Sequence, residues 1–394
     1  MKQLLVFNSV ELYLAGGTFL LCVIQLFYYL ISYARPLRKA RQMSTGTLEN
    51  KILSPVSVIV YTKNESENLR KHLPTLLTQD YPEYEVIVIN DGSTDESDEV
   101  LKRFEQEHKH LYHTYIPEDT KYVSRKKLSL TVGIKAAKYE TLLFTEANCH
   151  PKSPKWISQM VSAYHSDETK IVLGFCAYTC NKGFFHKQVA YDNLLRGLED
   201  FSSALKHHPY AGNGRNLSYH KALFFQHKGY SKFLNLHAGD DDLFVNEAAT
   251  PKNTEVVYTT DSLTEMAPID YFNVWKEMKV SRAATRKEYK GSQIYYYRSE
   301  SFVFFLYLLA SLLTIAIGIT GNWLICIWAV LLYLLRFIIK GTIIRKSSHL
   351  LGQASLMLWM PLLEITTPLF GLYVYVYRLF RGKKDYTFRL GNVR

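Results

Sequence analysis

The chain has only five cysteines in 394 residues, and their spacing gives neither a zinc pattern nor a disulfide framework. Cys22 and Cys326 lie inside apolar runs, and Cys176 and Cys180 fall in a largely apolar stretch. Core packing in a reducing compartment is the expectation. A basic soluble face is also missing. The net charge is +11, but the basic residues cluster beside apolar runs, which favours anionic lipid as partner and excludes nucleic acid. Nor is a cleavable leader the expectation, because only Lys2 precedes the first apolar run and the basic residues follow it, which reads as an anchor. The apolar runs carry too few polar side chains to suggest a channel or transporter.

What is present is organised around residues 56–95. Residues 56–60 (Val-Ser-Val-Ile-Val) and 85–89 (Glu-Val-Ile-Val-Ile) read as buried strands, each running into a polar turn before a helical pattern. The first turn carries Thr62, Asn64 and Glu65, and the second runs Asp91-Gly92-Ser93-Thr94-Asp95. Leu69, Leu73, Leu76 and Leu77 share a face of the intervening helix, where Pro74 predicts a kink or a restart. This is a βαβ unit, and ligands of such sheets bind beyond the carboxyl ends of the strands. Further on, a buried strand at 141–145 runs into Glu146-Ala147-Asn148, again an acidic turn at a strand end.

The apolar run at 10–32 is long enough to span a bilayer. Arg35, Arg38, Lys39 and Arg41 follow it, so the positive-inside tendency places the soluble body in the cytoplasm and the N-terminus outside. A polar linker occupies 42–51. Trp275, Lys276, Lys279, Arg282, Arg286 and Lys287 predict a basic interfacial helix with an aromatic anchor. Runs at 302–320 and 323–339, joined by Gly321-Asn322, predict a membrane hairpin, with Arg336, Lys340, Arg345 and Lys346 marking its cytoplasmic return. A last run, 350–377, is broken by Pro361, Glu364 and Pro368. A re-entrant pair of short helices explains those prolines and keeps the basic tail (Arg378, Arg381, Lys383, Lys384, Arg389) inside. Glu364 then either faces an acceptor or snorkels to the surface. The resulting division is an anchor at 1–34, a soluble domain at 52–270, an interfacial helix at 271–300 and a membrane region at 301–394.

The ordered set of turns over roughly 56–289 resembles the membrane-anchored family 2 glycosyltransferases. The resemblance implies an α/β fold of GT-A type, Rossmann-like with a mostly parallel sheet, flanked by N-terminal and C-terminal transmembrane helices. It also implies inverting transfer of a sugar from a nucleotide-sugar donor to a lipid-linked or glycan acceptor at the cell membrane. Asp91 matches the family's nucleoside contact, beside Thr62, Asn64 and Glu65. An ionised carboxylate accepts hydrogen bonds only, which suits a base N–H or a ribose hydroxyl. The plainer alternative is that Asp91 and Ser93 cap the next helix. Lys126 matches a basic residue that faces the diphosphate, although Arg125-Lys126-Lys127 also reads as a solvated helix start, and which of the three points inward stays open.

Glu146-Ala147-Asn148 stands where the family has Asp-x-Asp, the ligands of Mg²⁺ or Mn²⁺. One carboxylate is lengthened and the other becomes a neutral amide, so the expected site at Glu146 and Asn148 is a weaker one. The glycine-rich segment 211–218 resembles a stretch lining the acceptor side. In Gly239-Asp240-Asp241-Asp242, Asp241 matches the general base and Asp240 its acidic neighbour, and adjacent like charges raise one another's pKa. Arg282 is what remains of the processive members' Gln-x-x-Arg-Trp, whose Gln and Trp are replaced here. That favours transfer of one sugar over polymerisation. The resemblance sets Arg282 against the donor's diphosphate, with binding to the membrane surface as the alternative. The reading from a different class is a non-catalytic relative that binds a nucleotide or a partner protein.

Overall fold

The computed structural model describes residues 7–43, 54–117, 124–179 and 183–381. Cys180, the basic tail residues Lys383, Lys384 and Arg389, and nearly all of the 42–51 linker lie outside the described residues. The strands are β1 (Val56–Thr62), β2 (Tyr84–Asn90), β3 (Leu111–Tyr115), β4 (Thr141–Glu146), β5 (Cys149–Pro151), β6 (Ile171–Leu173), β7 (Cys176–Tyr178), β8 (Leu217–His220), β9 (Thr254–Val256) and β10 (Thr264–Met266). The helices are α1 (Ser9–Phe27), α2 (Arg35–Met43), α3 (Ser66–Leu77), α4 (Ser97–Glu107), α5 (Arg125–Ala136), α6 (Trp156–Val161), α7 (Phe184–Ala204), α8 (Lys221–Gln226), α9 (Asp242–Ala248), α10 (Phe272–Thr285), α11 (Gln293–Thr320), α12 (Trp323–Leu350) and α13 (Met360–Phe380).

A seven-stranded sheet runs in the order β3-β2-β1-β4-β8-β6-β9, and a small second sheet runs β5-β10-β7. β1, β2, β3 and β4 are mutually parallel, and β8 pairs antiparallel with both β4 and β6. Both faces of the central strands are covered, which is why their sequences are nearly all apolar. Val56, Val58 and Val60 of β1 pack with α3, α4 and α6 side chains, while Ile59 joins the opposite cluster with Ile134 of α5 and Leu194 of α7. The polar turns at the carboxyl ends of β1, β2 and β4 therefore open on one edge. Pro74 sits inside α3 without ending it.

Among the described residues, four helices are long and apolar enough to cross a membrane: Ser9–Ala40, Gln293–Thr320, Trp323–Leu350 and Met357–Phe380. α1, α11 and α12 pack on one another as a bundle. Glu11, the one charge in the first run, accepts from the backbone of Asn8 and of Asn322, so it ties the start of α1 to the α11–α12 turn. Inside the bundle Arg336 is fully buried. Its guanidinium donates to Gln25 and Tyr29 and pairs with Glu364 at 3.0 Å, while Lys340 lies 3.1 Å from the same carboxylate.

Three expectations about this region change. Residues 271–300 are not one interfacial helix, because α10 ends at Thr285 and α11 starts at Gln293 and carries on to Thr320. Trp275 is not a bilayer anchor. It is buried, stacked on Phe370 at 4.1 Å, because α13 covers that face of α10. The run after residue 350 is not a pair of short helices. Pro361 occupies the first turn of α13, where no intrahelical donor is lost, and Pro368 is carried inside the helix. Glu364 neither snorkels nor faces a ligand, since Arg336 and Lys340 hold it.

Candidate active site

At the end of β2, Asp91 is buried and accepts the Tyr61 hydroxyl at 2.8 Å, and Arg125 pairs with its other oxygen at 2.7 Å. It caps no helix. The capping falls to Asp95, which accepts from the backbone of Ser66 and Ser97. At the end of β1 the Thr62 hydroxyl is buried with no partner among the described residues. Asn64 takes a left-handed backbone (φ 53°), and its side chain accepts from Thr94 at 2.8 Å while its N–H donates to Ser93. The N–H of Glu65 donates to Ser97, and burial raises the Glu65 carboxyl above its ordinary range. The two turns are thus laced together around Asp91, and Thr62, Asn64, Glu65 and Asp91 sit on one edge of the sheet.

The basic run at the start of α5 is not a solvated helix start, because all three cations have buried work. Arg125 takes Asp91. Lys126 pairs with Glu146 at 2.8 Å and Asp240 at 3.1 Å. Lys127 donates to the carbonyls of Phe233, Leu236 and Ala238, which fastens the loop leading to Asp240, and burial pushes its ammonium down to about 8.

Lys126, Glu146, Asp240, Asp241, Gly214 and Tyr61 line a single cleft. The three aspartates divide their partners. Asp240 faces Lys126, Asp241 accepts from the N–H of Gly214 at 2.9 Å and of Asp242 at 2.7 Å, and Asp242 accepts from Thr285 and Tyr289 of the α10 end. A side chain at Gly214 would press on Asp241 at 3.2 Å, so the glycine lets the backbone approach the carboxylate. The expectation that adjacent charges raise the base is corrected. Burial pushes Asp241 up, but Arg196, Lys126 and the two N–H donors outweigh it and leave the carboxyl below its usual value; Asp240, buried beside Asp241, carries the upward shift despite Lys126. Asp241 is therefore ionised at neutral pH and a weaker base than its sequence context suggests.

Glu146 is held the same way. Burial opposes its charge, yet Lys126 on one oxygen and Arg215 on the other, at 2.9 Å, keep the carboxyl well below the usual range. Asn148 sits two residues on, its side-chain oxygen 3.2 Å from the Cys149 thiol. Mg²⁺ and Mn²⁺ want near-octahedral oxygen ligands, with carboxylates neutralising their charge. Here the one carboxylate of the pair is shared by two cations, the other position is a neutral amide, and no group of three or more His, Cys, Asp or Glu among the described residues could hold a metal. With Glu146 held by two cations and a neutral amide at Asn148, the donor set does not fit a resident divalent ion.

Residues 57–226 match the family described as glycosyl transferase family 2. This segment is a family 2 glycosyl transferase domain. Its curated relatives include the poly-beta-1,6-N-acetyl-D-glucosamine synthase of Staphylococcus epidermidis, 29% identical over 121 residues, which are 31% of this chain and 27% of that protein. The glycosyltransferase AglE of Haloferax volcanii is 30% identical over 133 residues, 32% of this chain and 41% of that protein. The matches thus span well under half the length of these relatives. Among solved structures, the mannosyltransferase PcManGT of Pyrobaculum calidifontis, in complex with GDP-Man and Mn²⁺, superposes with a TM-score of 0.56 at 17% identity, covering 86% of this chain and 98% of that one. The fold of the glycosyl transferase domain is GT-A.

The expected site residues separate into two places. Lys126, Glu146, Asp240 and Asp241 share the cleft, and Tyr61 connects it to Asp91. Arg282 lies instead in a second cavity between α7, α10, α11 and α13. Sequence reading missed Arg215, Arg196 and Tyr61. Arg215 carried a signal, since it sits in the glycine-rich segment 211–218; Arg196, in mid-helix on α7, carried none.

Proposed function

We propose that the protein is an inverting glycosyltransferase that moves one sugar from a nucleotide-diphosphate sugar to a membrane-associated acceptor. The observation that carries this reading is the single cleft holding an ionised, backbone-anchored Asp241 and the cationic Lys126, with Arg215 on the second oxygen of the cleft's Glu146. Asp91, with Thr62, Asn64 and Glu65 around it, would hold the nucleoside. Lys126 and Arg215 would carry the charge of the leaving diphosphate, the part otherwise expected of Mg²⁺ or Mn²⁺. In the step, the acceptor oxygen bonds to the anomeric carbon as the bond from that carbon to the diphosphate breaks. The acceptor proton passes to Asp241, and the nucleoside diphosphate leaves.

The domain faces the cytoplasm in this proposal. Arg35, Arg38 and Lys39 after α1 and the exposed Arg345 and Lys346 near the end of α12 stand on the domain's side of the bundle, which supports that orientation. Three helices would cross. α13 would lie in the membrane plane, because along its length it touches the soluble domain: Thr367 with Gln188, Phe370 with Trp275, and Arg378 with the Ala283 carbonyl. Its other face exposes Leu362, Ile365, Leu369, Leu372, Val376 and Leu379 at helical spacing, as a lipid-facing stripe requires. The test is a screen of nucleotide sugars with detergent-solubilised protein, reading released nucleoside diphosphate. Asp241→Asn should lower kcat by ~10²–10⁴-fold with donor KM little changed. Release unaffected by that substitution would sink the base assignment.

A further inference from the structure

A cavity of about 410 Å³ lies where the soluble domain meets the membrane helices, walled by α7 and α10 on one side and by α11 and α13 on the other. Its lining is strongly cationic. Lys279 is matched by Asp192. Arg282 and Arg286 also line it, and neither makes a side-chain hydrogen bond or ion pair among the described residues. The acid best placed to offset them, Glu199, has its carboxyl pushed up to about 7 by burial, which Arg286 only partly opposes. Burial, with Arg196 nearby, brings the Arg282 guanidinium down to about 10, while at Arg286 burial is outweighed by Tyr289 and Glu199, which hold it above its ordinary value. Unmatched guanidinium groups in a partly desolvated pocket are costly unless an anion joins them, and paired forks suit phosphate oxygens.

Two further observations say what kind of anion. Half of the wall is membrane helix, and at the rim Tyr375 of α13 is 57% exposed beside the stripe of outward apolar side chains, so an alkyl or isoprenoid chain has a dry path outward. At the inner end, Arg282 feels both Asp241 and Arg215, so the cavity approaches the carboxylate of the cleft. We propose that this cavity is the acceptor site and takes a phosphate-bearing lipid, its phosphate on Arg282 and Arg286 and its chain leaving between α11 and α13. The assignment deepens the proposed glycosyl transfer and rests on it. It moves Arg282 from the donor's diphosphate to the acceptor's phosphate.

The experiment measures binding to the full-length protein in detergent by native mass spectrometry, with four probes: a long-chain isoprenyl phosphate, the matching uncharged isoprenol, phosphatidylglycerol and inorganic pyrophosphate. A panel of nucleoside diphosphates reports on the donor side. The isoprenyl phosphate should bind at least tenfold tighter than the isoprenol and than pyrophosphate. Arg282→Gln with Arg286→Gln should remove about tenfold or more of that affinity while leaving nucleoside diphosphate binding unchanged. Asp91→Asn should do the opposite. The exposed Lys287→Gln should change neither, and the retained nucleotide binding shows that the arginine variant is folded. Phosphatidylglycerol binding as tightly as the isoprenyl phosphate would mark a general headgroup site and overturn the acceptor assignment. Equal binding of isoprenol and isoprenyl phosphate would overturn it, as would loss of nucleoside diphosphate binding in the arginine variant, which would return both arginines to the donor. Failure of every nucleotide to bind, with the lipid selectivity intact, would count against the proposed transfer and not against the anionic-lipid site.

Discussion

Glu364→Gln should unfold the membrane part of this protein more easily than any substitution in the cleft. Glu364 is almost fully buried and faces two cations, Arg336 at 3.0 Å and Lys340 at 3.1 Å. With an effective dielectric of about 20, each contact is worth ~5 kcal/mol before desolvation is charged against it. Removing one partner of such a cluster leaves the others buried and unpaired, and the net loss is about 3–5 kcal/mol. Glutamine keeps the shape and one acceptor, so the loss reflects charge rather than a void. Glu300, 3.8 Å from Lys340, cannot replace the lost carboxylate for both cations. With an unfolding entropy of ~2.1 cal/mol/K per residue, the 394-residue chain loses ~1.2 °C per kcal/mol, hence about 4–6 °C in melting temperature. The assay is thermal unfolding in detergent followed by a thiol-reactive dye, because Cys22 of α1 is 1% exposed and reacts only when the bundle opens. Replacing the whole cluster with apolar residues of similar volume (Arg336→Met, Lys340→Met, Glu364→Leu) should recover most of the loss. A Glu364→Gln protein that melts within about 1 °C of the parent would refute the reasoning.

Two further outcomes are expected. Donor turnover should persist in EDTA at no less than about half its rate with added Mn²⁺, because Lys126 and Arg215 already supply two positive charges beside Glu146; a loss above tenfold, restored by Mn²⁺, would reinstate the metal. The Glu199 carboxyl is raised by burial from 4.5 to about 7, so the folded state favours its protonated form, and stability present below about pH 4.5 is lost as pH rises toward 7. At ~1.36 kcal/mol per pKa unit that is at most about 3 kcal/mol, and Glu199→Gln should flatten the fall in melting temperature between pH 5 and 8. An identical slope in that variant would show the carboxyl to be solvated.

The α/β fold and the strand-end edge that carries the candidate site were legible because they rest on local signals. Runs such as Val-Ser-Val-Ile-Val report a strand covered on both faces, and an acidic turn directly after it reports a strand end, whatever the rest of the chain does. The apolar runs were legible for the same reason, since length and composition along the chain decide whether a helix is able to span a bilayer. Partnership between charges was not. The run Arg125-Lys126-Lys127 looks solvated in one dimension; only the return of β2, β4 and the loop before α9 to the same edge gives each cation its own buried carboxylate or carbonyls. Asp241 looked like a base raised by its neighbours, but Arg196, from a helix some 45 residues earlier, and the Gly214 N–H reverse the sign. Trp275 looked like a membrane anchor until α13, almost a hundred residues on, stacked Phe370 against it. Sequence by itself determined the strands of the central sheet and the long apolar runs, because those follow from neighbours along the chain, but not how the segments at 271–300 and after residue 350 divide into helices. Tertiary structure decided which charges meet, and therefore that Glu146 serves two cations and that Arg282 lines a cavity apart from the cleft, because electrostatic energy depends on distance in space and not on separation in sequence.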